Sequence, residues 1–127
     1  MRCLCDIMTC VSNWIDQYFE AWAGTDPDAV MAFMTDDVEF EDVGAGHKNV
    51  GKKRVRRFVQ GCYEQVPGVH FDVVTSEEFG DSYFVEWVMQ PMGLRGASVG
   101  KLRDGKIARN HDYWNSASFE IGSTKTS

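Results

Sequence analysis

Hydrophobic positions change their spacing along the chain, from a helical repeat in the first half to alternation in the second. Val11, Trp14, Ile15, Tyr18, Phe19 and Trp22 recur every three or four residues, which predicts a helix capped by Ser12 and stopped at Gly24. Asp26-Pro27 reads as an N-cap followed by the favoured first-turn proline, opening a short second helix through Ala29, Val30, Phe33 and Met34. Residues 38–43 alternate as a strand, and the Gly44-Ala45-Gly46 turn and a short loop lead on to a third helix over 52–65. In that helix Val55, Phe58, Val59, Cys62 and Val66 form one stripe, and Pro67-Gly68 ends it. From Val69 the period is two, predicting strands near 69–79, 82–90, 95–103 and 106–115. Gly80-Asp81, Gly93 and Asp104-Gly105 separate them, the last being a strong hairpin signal.

This order predicts an α+β fold, with three helices from the N-terminal half covering the concave face of a curved, mixed but mainly antiparallel sheet. A hollow between helices and sheet is the kind of place where small-molecule sites form. The expected organisation is one domain over 11–119, with a flexible segment over 1–10 and a flexible tail over 120–127.

Composition narrows the partners. The formal net charge of -6 argues against a nucleic-acid backbone as ligand. The basic run Lys52-Lys53-Arg54-Val55-Arg56-Arg57 falls mostly opposite the apolar stripe of its helix, as a solvated face does. Aromatic residues make up 13% of the chain, enough for a bulky interior or pocket. No apolar run is long enough to span a bilayer. The N-terminus lacks a small-residue cleavage site, so a cytoplasmic location is expected, and Met8 offers an alternative start. Cys3, Cys5 and Cys10 crowd that end without zinc spacing, and with Cys62 they are expected to be reduced thiols, with no metal and no cofactor.

Candidate chemistry begins at "VEFEDVGAG", residues 38–46. Alternation puts Val38, Phe40 and Asp42 on one face and Glu39, Glu41 and Val43 on the other. An acid sharing a face with Phe40 must be paired, neutralised or useful. It serves either as a base whose lost hydration raises its pKa, or as a hydrogen-bond partner of the Gly44-to-Gly46 turn. In the last strand, parity groups Asp112 with Ala108, Asn110 and Trp114, away from His111 and Tyr113. Asp112 is a second candidate acid or the brace of a loop. Tyr18 is a core aromatic or a hydrogen-bond donor from the helical roof. His47 overhangs the hollow or faces solvent, while Trp22, Trp87, Met89 and Trp114 line the hollow or fill the core.

The stretch "DQYFEAWAGTDPDAVMAFMTDDVEFEDVG", the helix after "NVGKKRV" and the hairpin "LRDGKIARNHDYWN" resemble the cone-shaped nuclear transport factor 2-like superfamily. That group includes SnoaL-like polyketide cyclases, ketosteroid isomerases and limonene-epoxide hydrolases. The resemblance covers nearly everything from Val11 to Phe119. Tyr18 and Asp42 stand at the spacing of the isomerase oxyanion donor and base, so the resemblance implies those roles. The second isomerase donor falls on Ser98, and the hydrolase Arg and Asp fall on Trp87 and Met89, which cannot act as acid or base. Asp112 resembles the closing-strand Asp of the hydrolases and cyclases.

The function this implies is cofactor-free acid–base catalysis, of isomerase or cyclase type, on a carbonyl-bearing cyclic or polyketide-like molecule. Asp42, Tyr18 and Asp112 would be catalytic, with Trp22, Phe40, His47, Trp87, Met89, Ser98 and Trp114 around the substrate. The alternative is a non-catalytic module holding a lipophilic ligand, with dehydratase and epoxide hydrolase as lesser options. The expected partners are a small apolar molecule with a polar oxygen and a second copy of the chain, paired through the sheet. No membrane and no nucleic acid are expected.

Overall fold

Asn13 opens helix α1 (Trp14–Ala23), its side chain accepting from the Asp16 N–H at 3.0 Å, in a computed structural model that describes residues 13–115. The expected cap, Ser12, lies outside the described residues, as do Cys3, Cys5, Cys10, Met8 and the two terminal segments. One side of α1, carrying Ile15, Tyr18, Phe19 and Trp22, is buried.

Helix α2 (Pro27–Met31) is capped by Asp26 and is shorter than its apolar pattern predicts. Phe33 and Met34 are not helical: the Phe33 carbonyl accepts from the Ile107 N–H at 2.8 Å, and Met34 begins strand β1 (Met34–Asp42). A sheet hydrogen bond thus wins over helical periodicity. The loop expected after residue 46 also contains strand β2 (His47–Val50), which pairs antiparallel with β1. Helix α3 (Lys52–Gln65) starts at Gly51, whose φ of 94° is a conformation that a side chain would strain. Its stripe buries Val55 and Val59, and its outer face carries exposed cations such as Arg56, bound to Asp28 at 2.7 Å.

Strands β3 (His70–Phe79), β4 (Ser82–Gln90), β5 (Leu94–Arg103) and β6 (Lys106–Trp114) complete a six-stranded sheet in the order β2-β1-β6-β5-β4-β3. Every neighbouring pair is antiparallel except β1 and β6, which run parallel and join the early and late parts of the chain. Helix α1 packs on β3 and α3 on β1, so the helices close one face, as the α+β expectation required. Ile15, Val30, Met34, Val38, Phe40, Val85 and Ile107 fill the space between.

One parity expectation fails locally. Lys101 pairs with Arg109 and Leu102 with Ile107, so Ala108 is the extra residue of a bulge. Ile107 is therefore fully buried, and Ala108 only half-buried. Beyond the bulge, Asn110, Asp112 and Trp114 keep the grouping that alternation assigns them.

Candidate functional site

Strand register places the acids side by side. Asp42 pairs with Asp112 across the parallel β1–β6 ladder, His47 pairs with Asp42 across β1–β2, and Ser98 pairs with Asp112 across β5–β6. His47, Asp42, Asp112 and Ser98 thus form one row over four adjacent strands, each step the spacing between neighbouring strands. Three of the four, His47, Asp42 and Asp112, line one wall of a cavity of about 310 Å³. Trp22, Trp87, Trp114, Phe58 and Phe71 supply aromatic walls, and Met89 and Cys62 line it too.

Asp112 sits at the centre of a hydrogen-bonded cradle. Its Oδ1 accepts from the Ser98 hydroxyl at 2.6 Å and from the Asn110 amide at 2.7 Å. Each donor is held from behind: the Trp87 indole donates to Ser98 at 2.8 Å, and the Tyr83 phenol donates to Asn110 Oδ1 at 2.6 Å. Asp112 keeps part of its surface on the cavity while protein encloses the rest. Burial raises its pKa to about 6, opposed by the bonds from Ser98 and Asn110 and assisted by the charge of Asp42.

Small residues make this cradle possible. A Cβ at Gly96 would run into the Trp87 indole, and one at Gly100 into the Tyr83 phenol and the Arg109 carbonyl. A Cβ at Gly44 would collide with the Trp114 indole, which donates to Asp42 Oδ1 at 2.6 Å. The Ala45 N–H also reaches that oxygen at 3.2 Å, so Asp42 braces the turn and lines the cavity at once. The lining carboxyl whose pKa burial raises is that of Asp112.

The other expected site residues divide. Trp22, His47, Trp87, Met89 and Trp114 line the cavity. Phe40 does not: it is buried beside Phe58, their rings 5.5 Å apart. Ser98 lies beneath Asp112, outside the lining. Tyr18, only 5% exposed, is also behind the wall, stacked edge-on against Phe19 and Phe33. Burial pushes its phenol well above the ordinary value, the Asp112 charge adds to this, and the Trp22 side chain beside it partly offsets it.

Cys62 and Asn110 escaped the expected site. Cys62 lies on the α3 stripe, and the side of that stripe facing the sheet is its only signal. Burial pushes the thiol up to about 12, with the charges of Asp42 and Asp112 adding, so it stays neutral. Asn110 shares its strand face with Asp112, which is how it comes to donate to it. Among the described residues no group of three His, Cys, Asp or Glu side chains is placed to hold a metal ion. No helix among them is long and apolar enough to cross a membrane.

The sequence profile of the SnoaL-like domain family matches residues 15–110. No curated protein matches the sequence. Among solved structures, a hypothetical protein of Catenulispora acidiphila with a ketosteroid isomerase-like fold, in complex with trimethylamine, is similar with a TM-score of 0.75 at 20% identity, over 80% of this chain and 84% of that one. TerC, co-crystallised with polyporic acid, gives a TM-score of 0.73 at 19% identity, over 84% of this chain and 92% of its own. A candidate polyketide cyclase of Sinorhizobium meliloti gives 0.71 at 20% identity, over 81% and 95%. At these identities the likeness speaks for the fold.

Proposed function

Because this chain belongs to the SnoaL-like domain family, we propose that its cavity transfers protons on a small, largely apolar carbonyl compound, as an isomerase or cyclase does. The carrying observation is Asp112, a cavity-lining carboxyl with a pKa of about 6, close enough to neutrality to take and return a proton. In this reading its carboxylate removes a proton from the carbon beside the carbonyl. The electron pair of that C–H bond then moves into the enolate. Returning the proton to a different carbon isomerises the substrate; attack of the enolate carbon on a second carbonyl, with the proton passed to the new hydroxyl, closes a ring. No outside reductant or oxidant enters either balance.

Asp42, held by Trp114 and Ala45, is the second carboxylate and anchors the substrate. Trp22, Trp87, Met89 and Trp114 enclose its apolar body. Tyr18 and Ser98 act through the residues in front of them, Ser98 by orienting Asp112. The small molecules bound by relatives in fold, trimethylamine and polyporic acid, support a small-molecule ligand here. The test follows deuterium exchange at the acidic carbon of cyclic enones and diketones by NMR, comparing parent, Asp112→Asn and Asp42→Asn. Asp112→Asn is expected to slow exchange by about 10²-fold or more. Exchange that matches the parent removes Asp112 from the mechanism.

The placement of Tyr18 and Ser98 behind the wall favours one second reading, a binder without turnover. In that case ligands are taken up, no carbon exchanges its proton, and Asp112→Asn leaves affinity within a small factor. Either way, the reading includes a homodimer through the outer face of the sheet. There Val99 and Tyr113 stand 44% and 47% exposed, beside the oppositely charged pair Glu86 and Arg95, a mixture that a second copy can complement.

A further inference from the structure

The cavity sets carboxylates among aromatic rings. Its lining contains two carboxylates, Asp42 and Asp112, and no Lys or Arg. Two of the three lining indole N–H groups are spoken for: Trp114 donates to Asp42 and Trp87 to Ser98. Phenols are spoken for as well, since Tyr83 donates to Asn110 and Tyr18 does not reach the lining. What is left to donate is the Trp22 indole, the weak S–H of Cys62 and two exposed residues, His47 and Gln65. An enolate oxygen formed deep in this hollow finds neither a Lys or Arg cation nor a lining phenol to steady it. A positive charge finds five aromatic rings and two carboxylates.

We propose that the ligand of this cavity is an apolar organic cation, a molecule whose protonated or quaternary nitrogen lies among Trp22, Trp87 and Trp114 and faces Asp42 and Asp112. This rests on the proton-transfer reading for its base, Asp112, and puts a cationic nitrogen in place of the carbonyl oxygen as the substrate's electron sink. Removing a proton from the carbon next to an iminium C=N carbon turns a cation into a neutral enamine, so no oxyanion donor is needed. The C–H electron pair becomes the new C=C bond, the C=N electron pair settles on nitrogen, and the proton resides on Asp112 until it is returned to carbon. For an ammonium ligand without such a carbon, the same walls serve as a binding site.

Binding is also linked to pH. The groups facing Asp112 are Asp42 from β1, Tyr18 from α1, Cys62 from α3 and Tyr83 from β4, with Ser98 and Asn110 as its donors. Tyr18, Cys62 and Tyr83 are all pushed upward by burial and remain neutral, so near neutrality the charge beside Asp112 comes from Asp42. A cation favours the ionised form of Asp112, and its affinity falls as pH drops through about 6.

Three ligands of one shape decide the matter, titrated into the intact chain and followed by tryptophan fluorescence. They are choline, its neutral carbon isostere 3,3-dimethyl-1-butanol, and the anion 3,3-dimethylbutanoate. Choline is expected to bind roughly tenfold or more tighter than the alcohol, with the anion weakest. Asp42→Asn is expected to shrink the preference of choline over the alcohol. Equal or tighter binding of the alcohol or the anion, or no uptake of choline, overturns the inference. Those outcomes leave the exchange experiment with carbonyl substrates untouched, so the two readings fail separately.

Discussion

Asp112 has a folded-state pKa of about 6 against an ordinary 3.8, and burial is the largest cause. Between those values the folded chain holds a proton that the unfolded chain has released. For this group, stability is therefore fully present below the ordinary value and is lost as pH rises through about 6, by on the order of 3 kcal/mol in all. Asp112→Asn removes that loss while keeping an oxygen that accepts from Ser98. Thermal unfolding followed at about pH 8 is expected to give a higher midpoint for the variant, a difference that shrinks at about pH 5. An unchanged midpoint at the higher pH refutes the burial argument. Alternation alone places both acids on the inner face. Which of them is the more enclosed depends on strand order and neighbours, which alternation does not give: Asp112 lies on a central strand over Ser98 and Asn110, while Asp42 ends its strand beside a turn.

Elements with a full period of apolar side chains are legible from the chain itself. Helix α3 runs over the span its stripe predicts, and β3 to β6 begin and end within a residue of their expected limits. Strand β2 has only His47-Lys48-Asn49-Val50, with no apolar alternation, and its pairing is set by the turn before it. The end of α2 yields to a hydrogen bond from β6, a partner more than 70 positions later. Close approaches within the sheet are equally hidden, because a glycine in a strand does not say what lies above it. Gly100→Ala is expected to cost about 1–3 kcal/mol in urea unfolding, since the new methyl meets both the Tyr83 phenol and a backbone carbonyl. Stability equal to the parent contradicts this packing.

Taken as one molecule, the fold depends on pairing its early strand with its last. The α+β class follows from the order of elements, but the strand order does not, because the parallel β1–β6 ladder spans most of the chain. That ladder is what sets Asp42 beside Asp112, so the two acids could be named from the sequence but not placed side by side. The outer face of the same sheet carries the expectation of a homodimer. Val99→Asp places a charge in the middle of that face, and sedimentation is expected to shift from dimer to monomer while the fluorescence of the cavity tryptophans stays as in the parent. A parent that sediments as a monomer rules the dimer out.

The cradle beneath Asp112 delivers both of its bonds to the same oxygen, Oδ1. In the proton-transfer reading the labile hydrogen is left to Oδ2, so it would arrive and depart along one direction relative to whatever lies above. A flat molecule resting there is approached on a single side. The handedness of any new stereocentre would be decided by the alignment of two neighbouring strands, β5 and β6, more than by the shape of the mouth.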